Sequence, residues 1–179
     1  MNEVVYTIDA GDRLFSANDA WDRFASENSS PHLNANTVCH RLLWDFIQDS
    51  ETCLLHATLL GRVRSGRSIR NLPFRCDSPG LRRFMEMDIT DLGDGIIEYR
   101  CRLIKTEVRE PVPLLADSVR ADERLLRMCS WCKKIDAGNN VWLEIEDFIL
   151  RRNLFAAQPI PRITHTICDT CVKLLDDQT

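Results

Sequence analysis

Apolar and polar positions change period twice along the chain. Val4, Tyr6 and Ile8 recur with a period of two in the β-prone run Val4-Val5-Tyr6-Thr7-Ile8 and predict a short strand; the turn Asp9-Ala10-Gly11-Asp12 leads into a second, Arg13 to Ser16. The period then becomes helical. Asn18 is placed to cap a helix whose Trp21, Phe24 and Ala25 share a face. After a loop with Ser29, Ser30, Pro31 and Asn34, a short apolar helix is expected around Leu42 to Ile47. Asp49 or Ser50 then caps a longer helix through Leu54, Leu55, Leu59, Leu60 and Val63, with Gly66 beyond its end.

From there the period returns to two. Leu72, Phe74 and Cys76 alternate with Pro73, Arg75 and Asp77, and Ser78-Pro79-Gly80 makes a turn. Met85, Met87 and Ile89 form one apolar row; after Gly93-Asp94-Gly95, Ile97, Tyr99, Cys101 and Leu103 form another. Each of these strands has one apolar and one charged face, as a sheet covered on one side by helices requires. The expected fold is α+β: an antiparallel sheet with helices on its concave face, plus a small C-terminal unit. Three zones follow, at 1–109, 110–127 and 128–179. The middle zone opens with Pro111 and Pro113 and carries Ala121-Asp122-Glu123-Arg124-Leu125-Leu126, a stretch of good helix formers that predicts a partly helical linker.

The order of elements resembles the PAS sensory domain. Tyr6-x-Ile8-Asp9, Arg13-Leu14 and Asn18-x-Ala20-Trp21 look like its opening hairpin and first helix, and Leu43-Trp44-Asp45-Phe46-Ile47 like its next short helix. Arg75-Cys76-Asp77-Ser78-Pro79 with Arg82-Arg83 is similar to a bacterial subgroup of such proteins, and the likeness spans Val4 to Val108. It implies a cytoplasmic signal-transduction protein, a protein partner, a possible homodimer, and an interior that holds a small ligand or cofactor or is simply packed. Trp44, His56, Phe74, Cys76, Met87, Tyr99 and Cys101 are the candidate pocket residues. His56 stands where haem-binding PAS domains place an axial histidine; a core-edge histidine is the plainer reading. Cys39-His40-Arg41-Leu42-Leu43 shares only fragments of a flavin-adduct motif.

The clearest chemistry lies in the third zone. Cys129-Ser130-Trp131-Cys132 and Cys168-Asp169-Thr170-Cys171 are two Cys-x-x-Cys pairs, each able to supply two sulfurs from one tight turn. Together they predict a tetrahedral site for one structural zinc ion, with four protein ligands and no open position for substrate. The second pair opens a terminal helix, whose N–H groups and dipole favour thiolate. One pair in a turn and one in a helix resembles a treble-clef site, although Lys133 stands where such a turn often has glycine. Iron and redox-active thiols are the alternatives. His165 fits a supporting hydrogen bond better than direct ligation. A zone this small, anchored by Trp131, Ile135, Trp142, Ile145, Phe148, Phe155, Ile163 and Ile167, calls for such a staple. Metal removal is expected to unfold it while leaving the first zone intact.

Composition narrows the function classes. The chain has 179 residues, 44% hydrophobic and 28% charged, enough for a real core. Its formal net charge of −4 disfavours nucleic acid, and Arg62, Arg64, Arg67 and Arg70 read as a solvated face. A zinc-dependent nucleic-acid regulator is nevertheless an alternative. Neither a secretory leader nor an apolar run long enough for a bilayer is visible, so no membrane role is expected. Eight cysteines in such a chain point to metal rather than disulfides. No nucleophile–base set or glycine-rich phosphate loop appears, and the expectation is a non-enzyme.

Overall fold

The computed structural model describes residues 3–47, 49–115, 121–154 and 160–177. It is a mixed α+β structure with two sheets. The first contains β1 (Val4–Ile8), β2 (Leu14–Ala17), β3 (Ile69–Arg75), β4 (Leu81–Gly93) and β5 (Ile96–Val108), in the antiparallel order β2-β1-β5-β4-β3. Between β2 and β3 run α1 (Asp19–Glu27), the single turn α2 (Ala35–Val38), a 3₁₀ turn at Leu43–Phe46, and α3 (Ser50–Arg64). No described helix is long and apolar enough to cross a membrane.

Local chemistry accounts for most of these elements. Asn18 caps α1 and Asp49 caps α3, each side chain accepting a backbone N–H three residues on. The β4–β5 hairpin turns at Asp94 and Gly95, both at positive φ, and a Cβ on Gly95 would sit 2.9 Å from the Ala10 Cβ. The register pairs Met85 with Leu103, Met87 with Cys101 and Ile89 with Tyr99, so the predicted apolar rows do share one face. On the opposite face Asp88 meets Arg102 at 2.6 Å and Arg82 meets Glu107 at 3.1 Å. Pro73 is tolerated because β3 is an edge strand.

The second sheet has the order β8-β7-β6-β9, built from β6 (Ala121–Cys129), β7 (Ile135–Asp136), β8 (Trp142–Leu143) and β9 (Ile160–Thr166). The helix α4 (Ile145–Arg152) precedes β9, and α5 (Asp169–Asp176) follows it. The partly helical linker expected around Ala121 to Arg127 is corrected here: that stretch is β6, running parallel to β9 from Leu125 opposite Arg162 to Cys129 opposite Thr166. Helix propensity is worth only tenths of a kcal/mol per residue, and a continuous ladder outweighs it. Leu126 and Met128 turn inward while Leu125 and Arg127 face solvent, which is a strand's period of two. The expected anchor Phe155 lies outside the described residues.

The two sheets share a core. Cys129, Trp131, Cys168, Cys171 and Leu175 pack in one buried cluster with Leu59, Leu60, Leu72, Met87 and Tyr99. A second cluster, with Ile135, Ile145 and Phe148, lies within the C-terminal sheet and α4.

Candidate metal centre and adjoining cavity

Parallel pairing of β6 with β9 delivers both cysteine pairs to the same end of the second sheet. Cys129 is the last residue of β6, and Cys168 is the N-cap of α5. The first pair forms a tight knuckle in which Lys133 N–H donates to the Cys129 carbonyl at 2.9 Å and Cys129 N–H donates to the Lys134 carbonyl at 2.8 Å. Lys133 takes the φ of +63° that a glycine would supply, and its Nζ donates to the Ser130 carbonyl at 2.7 Å. The departure from glycine therefore leaves the turn intact. In the second pair, Cys171 N–H donates to the Cys168 carbonyl at 2.9 Å.

The four ligand sulfurs of Cys129, Cys132, Cys168 and Cys171 all lie within 4.8 Å of one another. A tetrahedral ion with metal–sulfur bonds of ~2.3 Å needs sulfurs ~3.8 Å apart. Cys132 Sγ and Cys168 Sγ are 3.8 Å apart, at that spacing, and the whole set is compact enough to close on one ion. Cys168 N–H also donates to Cys129 Sγ at 3.4 Å. Without a cation the thiols share protons unevenly: hydrogen bonds from Cys132 and Cys171 hold Cys129 far below the usual thiol range, and the same bond pushes Cys132 up to about 12. A cation lets all four ionise. None of the eight cysteines forms a disulfide. His165, on β9 opposite Met128, is not among the clustered ligands.

The N-terminal end of α3 grips both knuckles. Ser130 Oγ donates to Asp49 Oδ2 at 3.0 Å, while Glu51 Oε2 accepts the Thr166 hydroxyl and the Ile167 N–H, the latter at 2.9 Å. Burial pushes the Asp49 carboxyl up, but hydrogen bonds from Thr52 and Ser130 outweigh it and hold the group below its usual range. At the far end of α3, Arg62 donates to the Leu175 carbonyl at 2.5 Å and pairs with Asp176. Arg64 meets Asp12 at 2.6 Å. Two members of the supposed solvated arginine face are therefore structural ties.

A second set of ties joins the β3–β4 turn to α4. Arg75 bonds Asp77 through two nitrogens and Glu144 through a third at 3.0 Å. Arg82 reaches Glu146 at 2.8 Å, and Arg109 meets Asp77 at 3.4 Å and Glu146 at 2.9 Å. The segments Arg75-Cys76-Asp77 and Trp142-x-Glu144-x-Glu146, seventy positions apart, are thus two halves of one contact. No local pattern signals that pairing.

Against the Cys129-Cys132 knuckle lies a cavity of about 490 Å³ between the inner face of the first sheet, α1 and α3. Of the candidate pocket residues, His56, Phe74, Cys76, Met87 and Cys101 line it, together with Met85. Two candidates are corrected. Trp44 points elsewhere, its Nε1 donating to Asp12 Oδ2 at 3.1 Å, and Tyr99 is packed in the core, stacked on Tyr6 at 4.8 Å. Tyr6, Trp21, Phe24 and Trp131 were missed; Trp131 belongs to the Cys129-Cys132 knuckle. The helical face that grouped Trp21 and Phe24 was the available signal for those two. Burial pushes the Cys101 thiol up to about 12 and lowers His56 to about 4, so both are neutral at pH 7. Cys39, Cys53 and His40 join no cluster of metal-ligating side chains among the described residues.

No protein-family model and no curated protein sequence matches the chain. Among solved structures, a domain of an HTR-like protein from Haloarcula marismortui is similar at 14% identity and a TM-score of 0.32, over 57% of this chain and 98% of that one.

Proposed function

We propose that this chain is a non-catalytic regulatory module of signal transduction. Residues 1–109 act as a PAS-like sensor of a small ligand, 110–127 connect, and 128–179 form a unit held by one structural zinc ion. The observation that carries the sensing role is the apolar cavity of about 490 Å³ on the helix-covered face of the sheet, a volume in the range of small-molecule sites. Zinc is the ion that four thiolates in a closed tetrahedral shell suit best. A protein partner in the cytoplasm completes the role, because a module without catalytic groups transmits a signal only by contact.

Elemental analysis and native mass spectrometry test the metal, and absorbance from the near-UV to the red tests the cavity. The expected protein is colourless, carries one zinc per chain, and hides Cys129, Cys132, Cys168 and Cys171 from a thiol reagent until zinc is withdrawn. Iron, haem or flavin bands, or four freely reactive thiols in the folded chain, would overturn this assignment.

A further inference from the structure

The cavity is walled by two parts of the chain that sequence holds far apart. Phe74, Met85, Met87 and Cys101 come from the first sheet, whereas Trp131 sits between two metal ligands, Cys129 and Cys132. Trp131 is fastened to the sheet from three sides. Its Nε1 donates to the Pro73 carbonyl at 2.6 Å, its own carbonyl accepts the Arg75 N–H at 2.9 Å, and its ring lies 6.0 Å from that of Phe74. The same indole lies 5.8 Å from the ring of His56.

Two residues lining the cavity, Thr52 and His56, carry a buried polar atom without a hydrogen-bond partner, and His56 lies against Trp131. His56 is only 9% exposed, and its Nδ1 has no hydrogen-bond partner. A buried nitrogen without a partner is costly, and an incoming polar group removes that cost. Of the cations at the cavity edge, Arg75 is paired with Asp77 and Glu144, and Lys133 donates to the Ser130 carbonyl. The carbonyl bond leaves Lys133 its charge, but the rest of the lining is mostly aromatic and aliphatic, which suits an uncharged molecule.

We infer that the metal knuckle is a wall of a composite binding site: the cavity takes one uncharged, largely apolar molecule whose single hydrogen-bonding group meets His56 Nδ1, and takes it well only while the cysteines are held on their metal. The linkage rests on the four cysteines being a metal site. Withdrawing the ion removes the covalent restraint on both ends of the Cys129-Cys132 turn and leaves Trp131 held only by its bonds to Pro73 and Arg75 and its contact with Phe74, so it closes the cavity over His56 less firmly. Reciprocity then requires that the bound molecule raise the affinity for the metal by the same factor.

N-phenyl-1-naphthylamine is a suitable probe: uncharged, two fused rings and a phenyl group, with one N–H, and brightly fluorescent only out of water. The full chain is titrated with it after the metal content has been counted, and again after chelation. Trp131→Ala, Trp131→Phe and His56→Leu are titrated in the metal-loaded state. Affinity should fall at least tenfold on chelation and in Trp131→Ala, and about threefold or more in His56→Leu, with Trp131→Phe retaining most of it. The concentration of a chromogenic chelator that withdraws half of the metal at equilibrium should rise when the probe is present. A metal-loaded chain that does not bind the probe, or binds it equally with and without metal and with alanine at 131, overturns the inference alone. A chain that takes up no metal overturns the metal site and the inference together.

Discussion

Replacing Arg75 by alanine removes the centre of the tie between the first sheet and α4. The Arg75 and Asp77 side chains are 8% and 3% exposed, so the pair is buried; Glu144 is 29% exposed. Burial alone would lower the Arg75 pKa, yet its bonds to Asp77 and Glu144 raise it, so the charge is well held. Taking one partner from a buried pair costs about 3–5 kcal/mol, because the other charge is left without compensation. Asp77 keeps Arg109 at 3.4 Å and the Arg83 N–H at 3.3 Å, which puts the loss near the lower end, about 3 kcal/mol. The Glu144 contact, closer to solvent, contributes about 1 kcal/mol at most. For a chain of this size the melting temperature should fall by about 6–12 °C. Urea unfolding of the metal-loaded protein at neutral pH reads this directly. A double-mutant cycle should give a larger coupling for Arg75 with Asp77 than for Arg75 with Glu144. A loss below about 0.5 kcal/mol, or a larger coupling to Glu144, would refute the assignment of a buried ion pair at this joint.

Three further outcomes follow from the same contacts. Because Cys129, Trp131 and Cys168 belong to the core that includes Leu72 and Met87, chelation should reduce amide protection in β3 as well as in the C-terminal sheet; full protection of β3 in hydrogen exchange after metal removal would show two independent units. His56 is held at about 4, below its unfolded value near 6.5, so the unfolded chain binds the extra proton and stability falls as pH drops from about 6.5 towards 4. That group accounts for on the order of 3 kcal/mol over the window; the depressed His165 and the thiols add to the slope, so the check is a shallower pH dependence in His56→Leu than in the parent. Lys133→Gly relieves a side chain at φ +63° but loses its bond to the Ser130 carbonyl, so metal content should be unchanged and stability should move by less than about 1 kcal/mol, measured by urea titration.

Much of this was legible before any tertiary contact was known. The alternation of Met85, Met87 and Ile89 against Tyr99 and Cys101 reports the inner face of the β4–β5 hairpin, because side-chain direction in a strand follows directly from position. Asp94-Gly95 marks the turn for an equally local reason: the backbone there needs positive φ. The stretch from Ala121 to Arg127 misled because its residue types favour a helix in isolation, whereas its state is set by β9 some forty positions later. Trp44 and Tyr99 misled for a related reason. Each lies on an element that borders the cavity, but rotation towards Asp12 or Tyr6 is decided by neighbours distant in sequence.

By itself, then, the sequence determined the chemistry that spacing can carry: two Cys-x-x-Cys pairs as one four-sulfur set, capped helices, and strands with one apolar face. Only the tertiary structure decided that the cysteine unit is built into the first sheet rather than hung from it. Arg75 meets Glu144, Asp49 and Glu51 hold both knuckles, and Trp131 closes a cavity it shares with His56. Those contacts join residues roughly seventy or more positions apart. Their partners are chosen by the packing of whole elements, which no short-range period records.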